Sequence, residues 1–214
     1  MDQLLRVQNF TISSDGIAAG EDQSLEAPFG SGIDPGKLFA WAGATASWPI
    51  RTAPGGSRGL DDYFARDFRH GIGAEIMGRN KFGPQRGPWE NHEWRGWWGE
   101  EPPFHTPVFV MTHHERPSFT LSDTTFHFVD DDPAAVLARA REAAQQGRPA
   151  WRRRDHDPGV PRRRPGRHPP RGRRTGETRI RLRLWDSPDE LLDRYHLEAV
   201  PSPSGVTHHL FWRR

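Results

Sequence analysis

The chain contains no cysteine. That absence removes disulfides, thiolate nucleophiles and cysteine-based zinc sites together, and it suits a reducing compartment. Long apolar runs are missing too: no stretch of the 214 residues approaches the ~20 that a membrane helix needs. Met1 to Phe10 lacks a basic flank followed by an apolar core, so no secretory signal is expected there. Together these absences predict a soluble, cytoplasmic protein with no membrane partner. Length sets a further bound, because 214 residues suffice for one well-buried domain and do not demand two.

What is present is an uneven charge. The formal total is +2, yet Arg148 to Arg174 holds eleven arginines against Asp155 and Asp157, which leaves the tract at +9 and the remainder at −7. The body is therefore acidic, and the average charge is no signal of nucleic-acid binding. Pro158, Pro161, Pro165, Pro169 and Pro170 separate the arginines, and Val160 is the only aliphatic residue after Trp151. Such a stretch cannot bury enough apolar area to offset the entropy of ordering it. An exposed, irregular segment is expected.

Elsewhere the pattern is that of an α/β domain. Leu4 to Ile12 shows the partial alternation of a strand. It ends at Ser13-Ser14-Asp15-Gly16, where the Asp-Gly pair marks a turn. Leu38 to Trp41 is compatible with a short helix, and Leu60, Phe64 and Phe68 recur at helical spacing, which predicts an amphipathic helix over Leu60 to His70. Ala74 to Met77 is a short strand closed by Gly78, and a Trp- and Gly-rich loop follows between Pro84 and Pro103. That loop suits either a cover for a ring-bearing substrate or a packed surface segment. Pro107 to Thr112 is a continuous apolar run, the mark of a strand covered on both faces. Thr124 to Val129 is a second strand, and the acidic start Asp130-Asp131-Asp132-Pro133 opens a helix over Ala134 to Gln146. Tyr195 to Val200 and Val206 to Trp212 form a terminal hairpin with a loop longer than a tight turn.

Four segments in this order resemble the dihydrofolate reductase-like family, in the branch similar to the reductase domain of riboflavin biosynthesis. They are Ile12 to Gly20, Met77-Gly78-Arg79-Asn80, Val110 to His114 continuing through Leu121 to Phe126, and Ser202 to His208. The resemblance implies a central, mostly parallel sheet flanked by helices, with NADPH along the carboxyl ends of its strands. By match, Gly78, Arg79 and Asn80 stand near the cofactor phosphates, where a planar guanidinium meets phosphate oxygens with paired bonds. Without the resemblance, Gly78 is a strand-end turn and Arg79 a solvated charge. Thr112, His113 and His114 match the strand end near the adenosine phosphate. Asp15, Gly16 and Ile17 match the loop over the nicotinamide and substrate, although a plain turn explains them equally. Neighbouring histidines on a strand point to opposite faces, so His113, His114 and His105 are not expected to hold a metal.

The same family has a Gly-Gly loop that receives the pyrophosphate at a helix start. It belongs soon after the helix Ala134 to Gln146, where this chain has the arginine tract instead. The genetic code offers an explanation. Trp151 to Pro161 can be encoded so that reading one nucleotide later yields Gly-Gly-Gly-Ala-Thr-Thr-Ile-Arg-Glu-Phe-Leu. Continued through Arg174, permitted codons give an amphipathic helix and an apolar strand in the family's order. Residues 148–175 are therefore read as an out-of-frame segment, irregular and replacing part of the sheet, inside a single reductase-like domain of residues 1–214. A real Arg/Pro linker is the alternative.

The functional expectation is an NADPH-dependent reductase acting on a small pteridine- or pyrimidine-like substrate, impaired by the altered segment. A homodimer stays open. The competing class is a protein that binds RNA or another anionic partner through the arginine tract, by salt-dependent phosphate contacts. No aromatics punctuate those arginines after Trp151, so bases would find no stacking platform and nucleic acid is not favoured. A third reading is a folded pseudoenzyme.

Overall fold

The computed structural model describes residues 3–7, 10–48, 54–66, 71–90, 92–146, 182–183, 185 and 187–214. The arginine tract lies outside these residues, and so does the expectation placed on it. At the centre is a sheet of four strands in the order β2-β3-β5-β4, made of Glu75–Gly78 (β2), Val108–Met111 (β3), Phe119–Leu121 (β4) and Thr124–Val129 (β5). Strands β2, β3 and β5 run parallel, while β4 is antiparallel to β5. The protein is thus mixed α/β, with a mostly parallel central sheet flanked by helices.

The apolar run of β3 lies between two parallel neighbours and buries both of its faces. Val108 and Val110 enter one hydrophobic cluster with Met77, Phe82, Phe104, Leu121 and Phe126. Phe109 enters the opposite cluster with Val129, Val136 and Ala140. This is the two-residue alternation of a pleated strand expressed as two cores. Helix α4, Pro133–Gln146, covers the second face through Val136 and Ala140. Its start follows the expected chemistry, with proline in the first turn and the Asp132 carboxylate accepting the Ala134 amide at 2.8 Å.

The Trp-rich loop, with no helix or strand among its described residues, covers the first face. Trp89 is buried, and Trp94 and Trp98 pack against the same cluster. Three of the loop's indole nitrogens find carbonyls, Trp89 donating to His114, Trp94 to Phe82 and Trp97 to Lys81, all within 3.1 Å. Backbone acceptors thereby satisfy the polar ends of rings whose bodies are the apolar layer. Gly83 permits the closest approach, since a Cβ there would stand 2.6 Å from the Trp94 indole nitrogen.

Three sequence expectations need adjustment. Leu4 to Ile12 forms no strand in its described residues, and Val7 is 83% exposed. Alternation makes a segment fit a half-buried sheet position, but a strand also requires a ladder partner for its backbone groups. The helix over Leu60 to His70 is described as Leu60–Arg66 (α2), and 67–70 lie outside the described residues. The short helix at Leu38 to Trp41 extends to Pro35–Gly43 (α1), because Asp34 accepts the Lys37 amide and Pro35 occupies the first turn.

Two small antiparallel pairs complete the fold. Ile17–Ala19 (β1) pairs with Leu182–Arg183 (β6), and Tyr195–Pro201 (β7) pairs with Thr207–Arg213 (β8) as the expected hairpin. The hairpin docks on α2 through His208, whose Nε2 lies 2.7 Å from the Asp61 carboxylate. The imidazole stacks on Phe64 at 4.2 Å and meets the edge of Trp41. Burial pushes the Asp61 carboxyl up, but hydrogen bonds from His208, Ser204 and Ser202 and the His208 charge outweigh it, leaving Asp61 below its ordinary value. Among the described residues no helix is long and apolar enough to cross a membrane.

Candidate functional site at the carboxyl edge of the sheet

The parallel register places Gly78 opposite Met111, so the residues that follow them, Arg79 and Thr112, emerge at one edge of the sheet. Arg79 opens the short helix Arg79–Phe82 (α3), which sends Phe82 down into the first core. Arg79 and Thr112 thus follow the ends of adjacent parallel strands. Gly78 is extended rather than turned, with φ −76° and ψ 157°, and a Cβ there would meet nothing within 4 Å. Asn80 is exposed.

Thr112 is buried, and its backbone amide continues the ladder to the Val129 carbonyl at 2.9 Å. Its hydroxyl accepts the His114 amide at 3.2 Å, closing the strand end into a local turn. His113 projects into solvent with Nδ1 2.9 Å from Asp130, while the His114 carbonyl accepts the Trp89 indole. His105 is occupied separately, with Nδ1 2.7 Å from Asp123. The strand-end turn is thus fastened to Trp89, and Trp89 is the ring on which Arg79 lies, the guanidinium carbon 3.8 Å from the ring centre. Arg79 Nη1 donates to the Gly87 carbonyl, and its Nε and Nη2 are buried without an acceptor among the described residues.

The residue that sequence reasoning missed is Arg116. It is only 6% exposed, and its Nη2 donates to the carbonyls of His92 and Trp94, tying the Trp-rich loop to the sheet edge. Its guanidinium sits among the rings of Phe82, Trp89, Phe119 and Phe128 at 4.9–5.4 Å. Burial holds the Arg116 guanidinium below its ordinary value, and the charges of Arg95 and Arg79 lower it further; burial alone lowers Arg79. No linear motif marks Arg116, because its partners lie 22 and 24 residues away. What the edge offers chemically is two cations near one indole, Arg116 buried and Arg79 half-buried, with donors that have no acceptor among the described residues.

The Asp15 turn is formed as expected. The Gly16 amide donates to the Ser13 carbonyl at 3.0 Å, and Ser13 Oγ lies 2.5 Å from the Asp15 carboxylate. Gly16 has φ +81°, and a Cβ there would stand 2.3 Å from the Trp185 carbonyl oxygen. Ile17 is buried at the start of β1, whose partner is β6 and not the four-stranded sheet. The structure thus joins Arg79 to the Thr112 segment, and packs the Asp15 turn under Trp185.

Comparison with known protein families yields no match, and comparison with curated proteins yields none either. Fold and site together define a mixed α/β protein whose mostly parallel sheet carries a cationic, aromatic-lined carboxyl edge.

Proposed function

We propose that the chain carries the scaffold of an NADPH-dependent reductase of the dihydrofolate reductase type, acting on a pteridine- or pyrimidine-like ring and impaired by the altered segment 148–175. The observation that carries this reading is the meeting of Arg79 and Thr112 at the carboxyl ends of adjacent parallel strands. Open α/β sheets take nucleotide ligands at that edge. The buried Nε and Nη2 of Arg79, which have no acceptor among the described residues, fit phosphate oxygens. Identity of the cofactor and the ring class of the substrate come from the sequence resemblance.

NADPH, when bound, supplies the hydride; the protein's share is binding, orientation and exclusion of water. Arg79 would hold a phosphate, and the strand-end turn at Thr112 fixes Trp89 beneath it through the His114 carbonyl. The aromatic layer of Phe82, Trp89 and Phe128 keeps water from the floor of the edge. The weak part is the pyrophosphate. Backbone amides approach it where no side chain intervenes, and this chain has Arg152, Arg153, Arg154 and Asp155 where the resemblance calls for glycines.

Titration of NADPH fluorescence against this chain and against a version carrying the alternative frame through 148–175 tests the reading. The expected outcome is at least about tenfold weaker binding by this chain, the equivalent of ~1.4 kcal/mol. Equal affinities retire the frame-shift account, and failure of both versions to bind retires the cofactor.

A further inference from the structure

The terminal hairpin β7–β8 is a sheet of its own, with no third strand paired to it among the described residues. No residue of either strand is buried. Two strands alone are marginal in water, so the hairpin's place depends on what holds its faces. His208 and Phe211 point to opposite faces of β8. On one face His208 is clasped: its side chain is 11% exposed and that of its partner Asp61 12%, with the rings of Phe64 and Trp41 against the imidazole. On the other face Phe211 meets the Trp185 ring at 5.7 Å. The Trp185 carbonyl lies over Gly16, inside the turn that the Gly16 and Ile17 amides close onto Ser13. Beyond that turn, β1 has the two-residue strand β6 as its partner. The hairpin therefore stands between the helices α1 and α2 and the Asp15 turn.

We infer that His208 and Asp61 are positioning residues for the Asp15 turn: their clasp on one face of the hairpin seats Trp185 on the other, and Trp185 holds the turn. That the turn covers a substrate rests on the reductase reading, whereas the coupling itself does not. The two faces share one backbone, so His208 cannot leave its place between Phe64 and Trp41 without moving Phe211. Ser202 and Ser204, in the loop of the same hairpin, also bond to Asp61, so loop and strand are released together. With few buried contacts, the hairpin belongs to the least stable part of the fold, where local opening is easiest. Coupling of this kind is reciprocal. A ring bound over the Asp15 turn therefore tightens the hairpin on α2, and loosening the clasp loosens the turn.

Amide hydrogen exchange of the whole chain, read residue by residue by nuclear magnetic resonance, tests this without any cofactor. His208→Ala is expected to speed exchange at least about tenfold in the β7–β8 ladder and equally at Gly16 and Ile17. The Thr112 amide, bonded to Val129 in the central sheet, is the internal reference and is expected to keep its rate. Gly16→Ala, which displaces the Trp185 carbonyl, is expected to speed exchange in the hairpin in return. Should His208→Ala also expose Thr112, Asp61→Ala keeps the imidazole ring, removes its bond and carries the same expectation. Faster exchange in the hairpin with Gly16 and Ile17 unchanged overturns the inference. So does a hairpin indifferent to Gly16→Ala, or equal acceleration of Thr112 in both clasp variants. Coupled exchange in a chain that binds no NADPH retires only the cofactor reading, whereas NADPH binding with uncoupled exchange retires only this one.

Discussion

Replacing Phe82 by alanine is the most direct perturbation of the layer on which the sheet edge rests. Phe82 is 0% exposed. The rings of Trp89, Trp98, Phe119, Phe126 and Phe128 surround it at centroid distances of 5.1–6.4 Å, mostly tilted or edge-on. Removing the ring forfeits its transfer energy and leaves a void that rigid aromatic neighbours fill poorly. Such deletions cost ~3–5 kcal/mol. The Phe82 carbonyl still accepts the Trp94 indole after the change, so the loss is one of packing. Against a total stability of ~5–15 kcal/mol, Phe82→Ala is expected to be folded but marginal. Tyr63→Ala is the control: that ring is 55% exposed, and its removal is expected to cost under ~1 kcal/mol. Urea denaturation followed by tryptophan fluorescence measures both. If Phe82→Ala loses no more stability than Tyr63→Ala, the aromatic layer is not packed as described.

Gly16→Ala forces a side chain into a left-handed backbone, at ~1–2 kcal/mol, and against the Trp185 carbonyl, so its melting temperature should fall; an unchanged value would remove Trp185 from the turn. Asp61→Asn should lose about 1.5 kcal/mol or more at neutral pH, as buried hydrogen bonds to a charged group do. Because the folded Asp61 carboxyl titrates below its ordinary value of 3.8, its contribution is present above that pH and is lost as pH falls through the folded value. Melting curves of both proteins should therefore converge in acid, and a constant gap down to the lowest pH refutes the pairing. Glu75 has the opposite sign: burial raises its carboxyl above 4.5, against the pull of Lys81 and Arg6, so its ionisation opposes folding as pH rises through the folded value. Glu75→Gln should raise the melting temperature at pH 7 and change little at pH 4, and a lower value at pH 7 contradicts the assignment.

Elements that carry their own local signals were legible. The apolar run Pro107 to Thr112 announced a strand covered on both faces, and Pro133 after three aspartates announced the start of α4. Pro-Ser-Pro-Ser-Gly between two apolar segments announced the terminal hairpin. Leu4 to Ile12 misled because alternation reports suitability for a sheet and not the presence of a partner. The strand Phe119–Leu121 was missed because it is short and joined to β5 by a tight turn in which Ser122 takes φ 51°, a conformation its residue type does not advertise.

Of the candidate site, the residues Arg79 and Thr112 could be paired by family resemblance, since both follow strands whose order the sequence conveys. Arg116 could not, because nothing in a linear text sets a buried guanidinium apart from a solvated one. Composition, strand type, helix caps and turns follow from interactions within a few residues, and these the sequence by itself determined. The Trp-rich loop serves as a core layer, Asp61 meets His208, and two arginines share the Trp89 ring, all through contacts between segments distant along the chain. Only the tertiary structure decided those, because burial and proximity, which set the energy of a charge or a ring, exist only once the chain has closed on itself.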